Sequence, residues 1–240
     1  MKYIEKDFAD SKVLEYEEEL INNKLDKNNL ISPQIHPTLK GTDVYDQVKS
    51  FKHFNDLKDQ MFQDQGGICC YCGQALKYPN HPPYIVEHVT PKETCRELAG
   101  EYENLLLSCR PTDKEEEERT TNHGKPKNYW HCDKLKANKT LKYTPLQVDC
   151  NTHFRYFESG MVEGVDVDAK KDIETLGLNC AYLVNRRKAA IFAVLYDLEG
   201  NLLPNDDLKK YLAVVMNRKS DNTFPEFCFA ISGVLENYVK

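Results

Sequence analysis

The residues able to do chemistry cluster between Cys69 and Asp133. Cys69-Cys70-Tyr71-Cys72-Gly73 holds a Cys-x-x-Cys turn, and Cys109 and Cys132 follow downstream. Two thiolates three positions apart can bind one zinc ion at about 2.3 Å, and the glycine after them lets the knuckle turn tightly. Cys69 and Cys72 therefore read as half of a structural zinc site. Cys109 and Cys132 supply the other half if residues 110–130 loop out. A redox Cys-x-x-Cys wants a strand before it and a helix opening on it, whereas here Gly66-Gly67 precedes and Gly73 follows. Cys70, Cys95, Cys150, Cys180 and Cys228 lie out of register and read as buried small hydrophobes.

Between the two halves stand Glu87, a hard carboxylate, and His88, an imidazole suited to proton transfer near neutral pH. On their own such neighbours are ordinary surface polarity. Inside a cysteine frame, and ahead of Asn104, they become candidates. The elements that must position them can be predicted. Tyr84 to Val89 is rich in β-branched and aromatic residues and reads as a strand stopped by Pro91. Glu101 to Cys109 reads as a second strand burying Leu105, Leu106 and Leu107, and Cys132 to Ala137 has helix formers without a breaker. The expected order is strand, strand, helix. Arg110 to Trp130, with Pro111, Gly124, Pro126 and an acidic run at Glu115 to Glu118, reads as a solvated surface insertion.

Upstream, residues 3–25 carry acids beside a rough apolar stripe of Ile4, Phe8, Val13, Leu14, Leu20 and Ile21, which predicts one or two amphipathic helices. Residues 26–41 read as a loop. Thr42 is the expected N-cap of one helix running through Tyr45, Val48, Phe51, Leu57, Met61 and Phe62, ended by Gly66-Gly67. Downstream, Phe154 to Val162 predicts a hairpin turning at Ser159-Gly160, and Asn179 is the expected start of a helix. Asn205 to Asn217 is another short helix, and Thr223-x-x-Glu226 is a capping box expected to open the last one. Arg186, Arg187 and Lys188 form the best basic cluster, read as a solvated helix face or a phosphate contact.

Composition bounds the rest. A chain of 240 residues with 40% hydrophobic content can build a core without disulfide staples, so nine cysteines ask for another purpose. The first residues show no apolar leader segment, and no apolar run of about 18 residues occurs, so a soluble, cytoplasmic protein with no membrane association is expected. The net charge of −6 argues against holding a long nucleic acid unaided, since affinity for phosphate backbones comes mostly from Lys and Arg. No Gly-x-x-x-x-Gly-Lys-Ser/Thr loop is present, so ATP is not expected to bind by that device.

Taken together, Cys69-x-x-Cys72, Glu87-His88-Val89-x-Pro91, Asn104-Leu105-x-x-x-Cys109 and Cys132-Asp133-x-x-Lys136 resemble the HNH endonuclease motif on a ββα-metal fold, over residues 66–138. More narrowly, the chain resembles the PtuB family, the HNH nuclease subunits of Septu and retron-linked antiphage defence systems. That likeness rests on Gly67 to Cys72, the long insert before His131-Cys132, Asp149-Cys150-x-x-x-Phe154-x-Tyr156-x-x-x-Gly160, Leu176-Gly177-Leu178-Asn179 and Arg186-Arg187. The resemblance implies an α+β fold: a ββα-metal core with structural zinc at 66–145, flanked by mainly helical regions at 1–65 and 146–240. It implies hydrolysis of nucleic-acid phosphodiester bonds, DNA or RNA. His88 would be the general base, and Glu87 with Asp133 would hold one Mg²⁺ or Mn²⁺. Asn104 would orient the loop that carries His88, and zinc on Cys69, Cys72, Cys109 and Cys132 would tie hairpin to helix. It also implies a PtuA-type ATPase partner and, in some systems, a retron reverse transcriptase with its noncoding RNA.

Two departures stand out. Thr112 occupies the position where the second zinc pair usually closes, and Asp133 stands where His or Asn is usual, with His131 the neighbouring alternative. Two other classes compete with the nuclease: a non-catalytic zinc adaptor for nucleic acid or protein, and a thiol oxidoreductase. Glu87, His88 and Asn104 favour the nuclease, because an adaptor needs the cysteines but neither a base nor a metal carboxylate.

Overall fold

Two short strands, β1 (Tyr84–His88) and β2 (Leu105–Cys109), pair antiparallel and carry Glu87, His88 and Cys109 in the computed structural model. It describes residues 1–31, 38–76, 84–110, 117–118, 120–122 and 128–239. Tyr84 stands opposite Cys109, Glu87 opposite Leu106 and His88 opposite Leu105. Every residue of β2 is buried, as its run of leucines requires.

One side of the hairpin is braced by α4 (Phe54–Gln65). The Gln65 side chain accepts from the Leu107 amide at 2.6 Å and donates to the Leu107 carbonyl at 2.9 Å, acting as a third strand would. α4 ends at Gly66, left-handed at φ 59°, a conformation that costs glycine least. The chain then enters the cysteine knuckle, which joins β2 through the Cys70 amide to the Leu107 carbonyl at 3.1 Å.

The molecule is α+β and mostly helical. Ahead of α4 lie α1 (Ser11–Asn22), capped by the Asp10 carboxylate, α2 (Lys27–Leu30) and α3 (Gly41–Val48). After β2 comes a single turn, α5 (Asp133–Lys136), then a second two-stranded sheet of β3 (Phe154–Tyr156) and β4 (Val162–Gly164). α6 (Val167–Leu176), α7 (Ala181–Leu195), α8 (Asn205–Val215) and α9 (Cys228–Leu235) complete it. Buried hydrophobics from the first, middle and last thirds belong to one cluster, from Met1 through Leu106 to Leu235. Among the described residues no helix is long and apolar enough to cross a membrane.

Several expectations change. The single helix expected from Thr42 is two. Gly41 is already helical behind Lys40, and the chain breaks after Val48 because the Lys52 and His53 amides donate to the Glu19 carboxylate of α1. Of the N-terminal stripe, Ile4, Val13 and Leu20 are buried, but Phe8, Leu14 and Ile21 face solvent. The second strand starts four residues later than expected, since Tyr102–Asn104 forms a 3₁₀ turn that frees the Asn104 side chain. Asn179 does not open a helix; its amide brackets Val162, accepting from the backbone N–H at 3.0 Å and donating to the carbonyl at 2.8 Å. Thr223 caps nothing: its hydroxyl and amide bond Asp221, Glu226 pairs with Arg186 at 2.7 Å, and α9 begins only at Cys228. α6 is a helix beyond those expected, opened by the Asp166 cap and ended by left-handed Gly177. Residues 111–116 and 123–127 of the expected insertion lie outside the described residues, as do 32–37 of the 26–41 loop; Glu117, Glu118 and 120–122 are helical.

Candidate metal centre and catalytic pocket

The four cysteines predicted to bind zinc meet. Cys69 and Cys72 come from the knuckle, Cys109 from the end of β2 and Cys132 from the residue before α5. Their sulfurs all lie within 4.8 Å of one another, with Cys69 Sγ to Cys132 Sγ at 3.8 Å and Cys72 Sγ to Cys109 Sγ at 3.6 Å. A tetrahedron of metal–sulfur bonds of about 2.3 Å sets its sulfurs about 3.8 Å apart. Four buried thiols at that spacing fit a structural zinc ion. Backbone amides support the sulfurs: Cys109 N–H donates to Cys69 Sγ at 3.3 Å and Gln74 N–H to Cys72 Sγ at 3.4 Å. The five other cysteines stand outside this group.

Cys132 reaches the cluster at a cost. Its φ is 54°, a conformation that costs a non-glycine residue about 1 to 3 kcal/mol and persists only when the surroundings hold it. The hold comes from α6: the Cys132 amide donates to the Leu176 carbonyl at 2.8 Å. Gly177, left-handed at φ 60°, lets the chain pass close by, and a Cβ there would sit 2.7 Å from the Trp130 carbonyl. The C-terminal half thus sets the fourth sulfur.

On the far side of the β1 end, a cavity of about 310 Å³ is lined by Tyr45, Glu87, His88, Lys92, Asp133 and Asn138, among others. Successive strand residues point to opposite faces, so Glu87 and His88 leave β1 in different directions and the cavity wraps the strand's end to reach both. Glu87 is 2% exposed; its Oε1 accepts from the Tyr71 hydroxyl at 2.8 Å and pairs with Lys136 Nζ at 2.7 Å. Its carboxyl is pushed up to about 8, by burial first and by a hydrogen bond with Asp133, against the pull of Lys136. Two carboxyls forced together in a dry place are a poor pair unless a proton or a cation sits between them. Carboxylate oxygens are the kind of donor a hard divalent cation takes.

His88 is equally sheltered. Its Nε2 lies 3.0 Å from the Ala99 carbonyl, and its ring meets Tyr45 edge-on at 4.6 Å between centroids. Nε2 must therefore carry the proton and donate it to that carbonyl, which leaves Nδ1 as the lone-pair nitrogen. Burial, with the Lys92 charge next, lowers the ring to about 4, so it stays neutral at physiological pH.

Asn104 touches neither carboxyl. Its Oδ1 accepts from the Thr90 amide at 2.7 Å, and its Nδ2 donates to the Thr90 carbonyl at 2.9 Å and the Leu98 carbonyl at 3.1 Å. It ties the chain just after His88 to the turn that presents the Ala99 carbonyl. Asn104→Ala deletes three hydrogen bonds and strands buried backbone groups, so it should lower the unfolding free energy by about 2 to 3 kcal/mol in urea titration. A change below about 0.5 kcal/mol would mean the loop is held otherwise.

Asp133 and its alternative separate cleanly. Asp133 lines the cavity beside Glu87, and its amide donates to Ser108 Oγ at 3.4 Å. His131 instead faces the sulfurs, its Nδ1 lying 3.2 Å from Cys132 Sγ and 3.6 Å from Cys109 Sγ, with its ring stacked on Tyr182. The basic cluster of α7 disperses. Arg187 is 1% exposed and donates to the Gly160 and Leu178 carbonyls, while Arg186 pairs with Glu226. No protein-family model matches the chain, and no match to a curated protein was found.

Sequence reasoning assigns no site role to Tyr45, which lines the cavity, or to Tyr71 and Lys136, which hold Glu87 from its buried side. Only Lys136 had a signal, its place three residues after Asp133 on one helical face. A larger groove of about 800 Å³ lies between the N-terminal residues, β3 and α9, and neither histidine nor cysteine lines it.

Proposed function

We propose that the chain is a metal-dependent endonuclease of the HNH type, its β1–β2 hairpin and α5 being the ββα-metal core and its four cysteines the zinc staple. One observation carries the reading: Glu87, Asp133 and His88 line a single cavity at the end of β1. An adaptor has no use for a buried carboxyl and a half-buried one on one cavity beside a neutral imidazole. Lys92 and Lys134 stand on the same cavity wall, where their charge favours a phosphate although the chain as a whole carries −6.

In this reading Nδ1 of His88 takes the proton from the attacking water, and the Ala99 carbonyl holds the ring as its partner Nε2–H keeps the other proton. Glu87 and Asp133 would be the residues that hold a divalent ion, whose chemistry when bound would be Lewis-acid stabilisation of charge on the phosphoryl group. Asn104 keeps the base aimed by fixing the backbone on either side of it. Zinc performs no chemistry and holds the knuckle, β2 and α5 together.

The net charge of −6 also supports work within a larger assembly, because long-range attraction of a phosphate backbone must come from elsewhere. By its likeness to the PtuB family the chain would be the cutting arm of an antiphage complex with a PtuA-type ATPase, in some systems with a retron reverse transcriptase and its RNA. The exposed Phe8, Leu14 and Ile21 offer a dry contact for that partner. Incubating the purified chain, alone and with its neighbour-encoded ATPase, with DNA and RNA panels and Mg²⁺ or Mn²⁺ tests both statements. Cleavage that appears or rises with the partner is the expected result. No cleavage under any combination would leave the adaptor reading, and full-rate cleavage by a monomer alone at physiological salt would dismiss the partner.

A further inference from the structure

Lys136 is 1% exposed, yet lysine is among the residues least often buried unless paired. Its ammonium is placed by two contacts: 2.7 Å from Glu87 Oε1, and 3.0 Å from the His88 carbonyl, to which it donates. Tyr71 donates to the same Oε1 at 2.8 Å. One oxygen of Glu87 is therefore fully engaged by the protein's own donors. Glu87 and Asp133 both line the cavity, so the carboxyl keeps a side open to it. α5, which carries Lys136, also begins with Asp133 and follows Cys132, so one helical turn delivers a sulfur, a carboxylate and an internal cation to the same hairpin.

We propose that Lys136 is a positioning residue that acts as a built-in cation, sharing Glu87 with the divalent ion and fixing the backbone of His88. This inference rests on the reading of Glu87 and Asp133 as ligands of that ion. The ammonium compensates the buried carboxylate when the ion is away, so the site folds without it. It also competes for the carboxylate's charge, so the parent binds the ion more weakly than two bare carboxylates would. Through the His88 carbonyl, the same ammonium holds the end of β1, and with it the direction of Nδ1.

The two duties make the substitution act with opposite signs. Lys136→Met removes the ammonium that competes with a divalent ion for Glu87, so a bound cation stabilises the variant more than the parent. Isothermal titration with Mn²⁺, in the absence of nucleic acid, should show tighter binding by about 10-fold, each tenfold being about 1.4 kcal/mol. Melting with and without Mg²⁺ should show a larger metal-induced rise in Tm than in the parent. Turnover at saturating metal should fall by about 10-fold or more, because a base displaced by even a fraction of an ångström loses its alignment. Lys136→Gln, which keeps a donor and drops the charge, carries the same expectation if the methionine variant does not fold.

Tighter metal binding with slower turnover supports the inference, since a merely structural lysine would weaken both together. Unchanged or weaker Mn²⁺ binding by the variants, with the parent binding normally, overturns it and leaves the metal reading intact. A parent chain that binds no Mn²⁺ overturns the metal reading and this inference with it. Failure of both variants to fold even with saturating Mn²⁺ also overturns it, because the ion then does not supply the charge that Lys136 took away.

Discussion

Freshly purified protein should contain one zinc per chain, and Cys132→Ser or Cys72→Ser should lose the ion and unfold the knuckle, β2 and α5. Four buried sulfurs within 4.8 Å of one another have little reason to meet without a metal. Structural zinc contributes on the order of 10 kcal/mol in small metal-dependent domains, more than a typical domain's whole stability margin of about 5 to 15 kcal/mol can spare. Cys132 should be the most sensitive of the four, because its strained backbone at φ 54° keeps its shape only while the sulfur is anchored. Elemental analysis, near-ultraviolet circular dichroism and thermal melting give the readouts. Protein without zinc, or a Cys72→Ser variant that is fully folded with unchanged zinc, would dismiss the centre.

His88→Ala should abolish cleavage while zinc content stays at one per chain. Loss of a general base typically costs about 10²- to 10⁴-fold in rate. The substitution also removes the hydrogen bond to Ala99 and the edge contact with Tyr45, so a stability loss of about 1 to 2 kcal/mol is expected alongside. That loss leaves nearly every molecule folded and cannot imitate a rate defect of this size. Glu87→Ala and Asp133→Ala should be comparably inactive, and cleavage by all three at the parent rate would remove the catalytic assignment.

Much of the local structure was legible because it depends on neighbours in sequence. Two glycines at 66 and 67 stop a helix wherever it packs, a short run of aromatic and β-branched residues makes Tyr84–His88 a strand, and a Cys-x-x-Cys-Gly turn shapes a knuckle by itself. Expectations failed where a distant group outbid a local one. Glu19 took the amides that would have continued the α3 helix, Asp221 took Thr223 from its capping box, and Glu226 went to Arg186. Each local motif was sound, but a hydrogen-bonding group has only so many partners, and chain closure decides which it meets.

Residue types and their order supply the kinds of atoms available to the site: four sulfurs, two carboxylates, one imidazole and an amide, in an order that fits a hairpin followed by a helix. Tertiary structure alone decided their division of labour. It swung Asp133 to Glu87 and His131 to the sulfurs, although the two are two residues apart, because the positive φ of Cys132 reverses the chain between them. It also buried Lys136 against Glu87 and Arg187 against two carbonyls, taking from solvent the charges that sequence alone places on helix faces. Periodicity shows which side of an element is turned inward, but a buried charge is located by the partner that compensates it, and that partner lies far away in the chain.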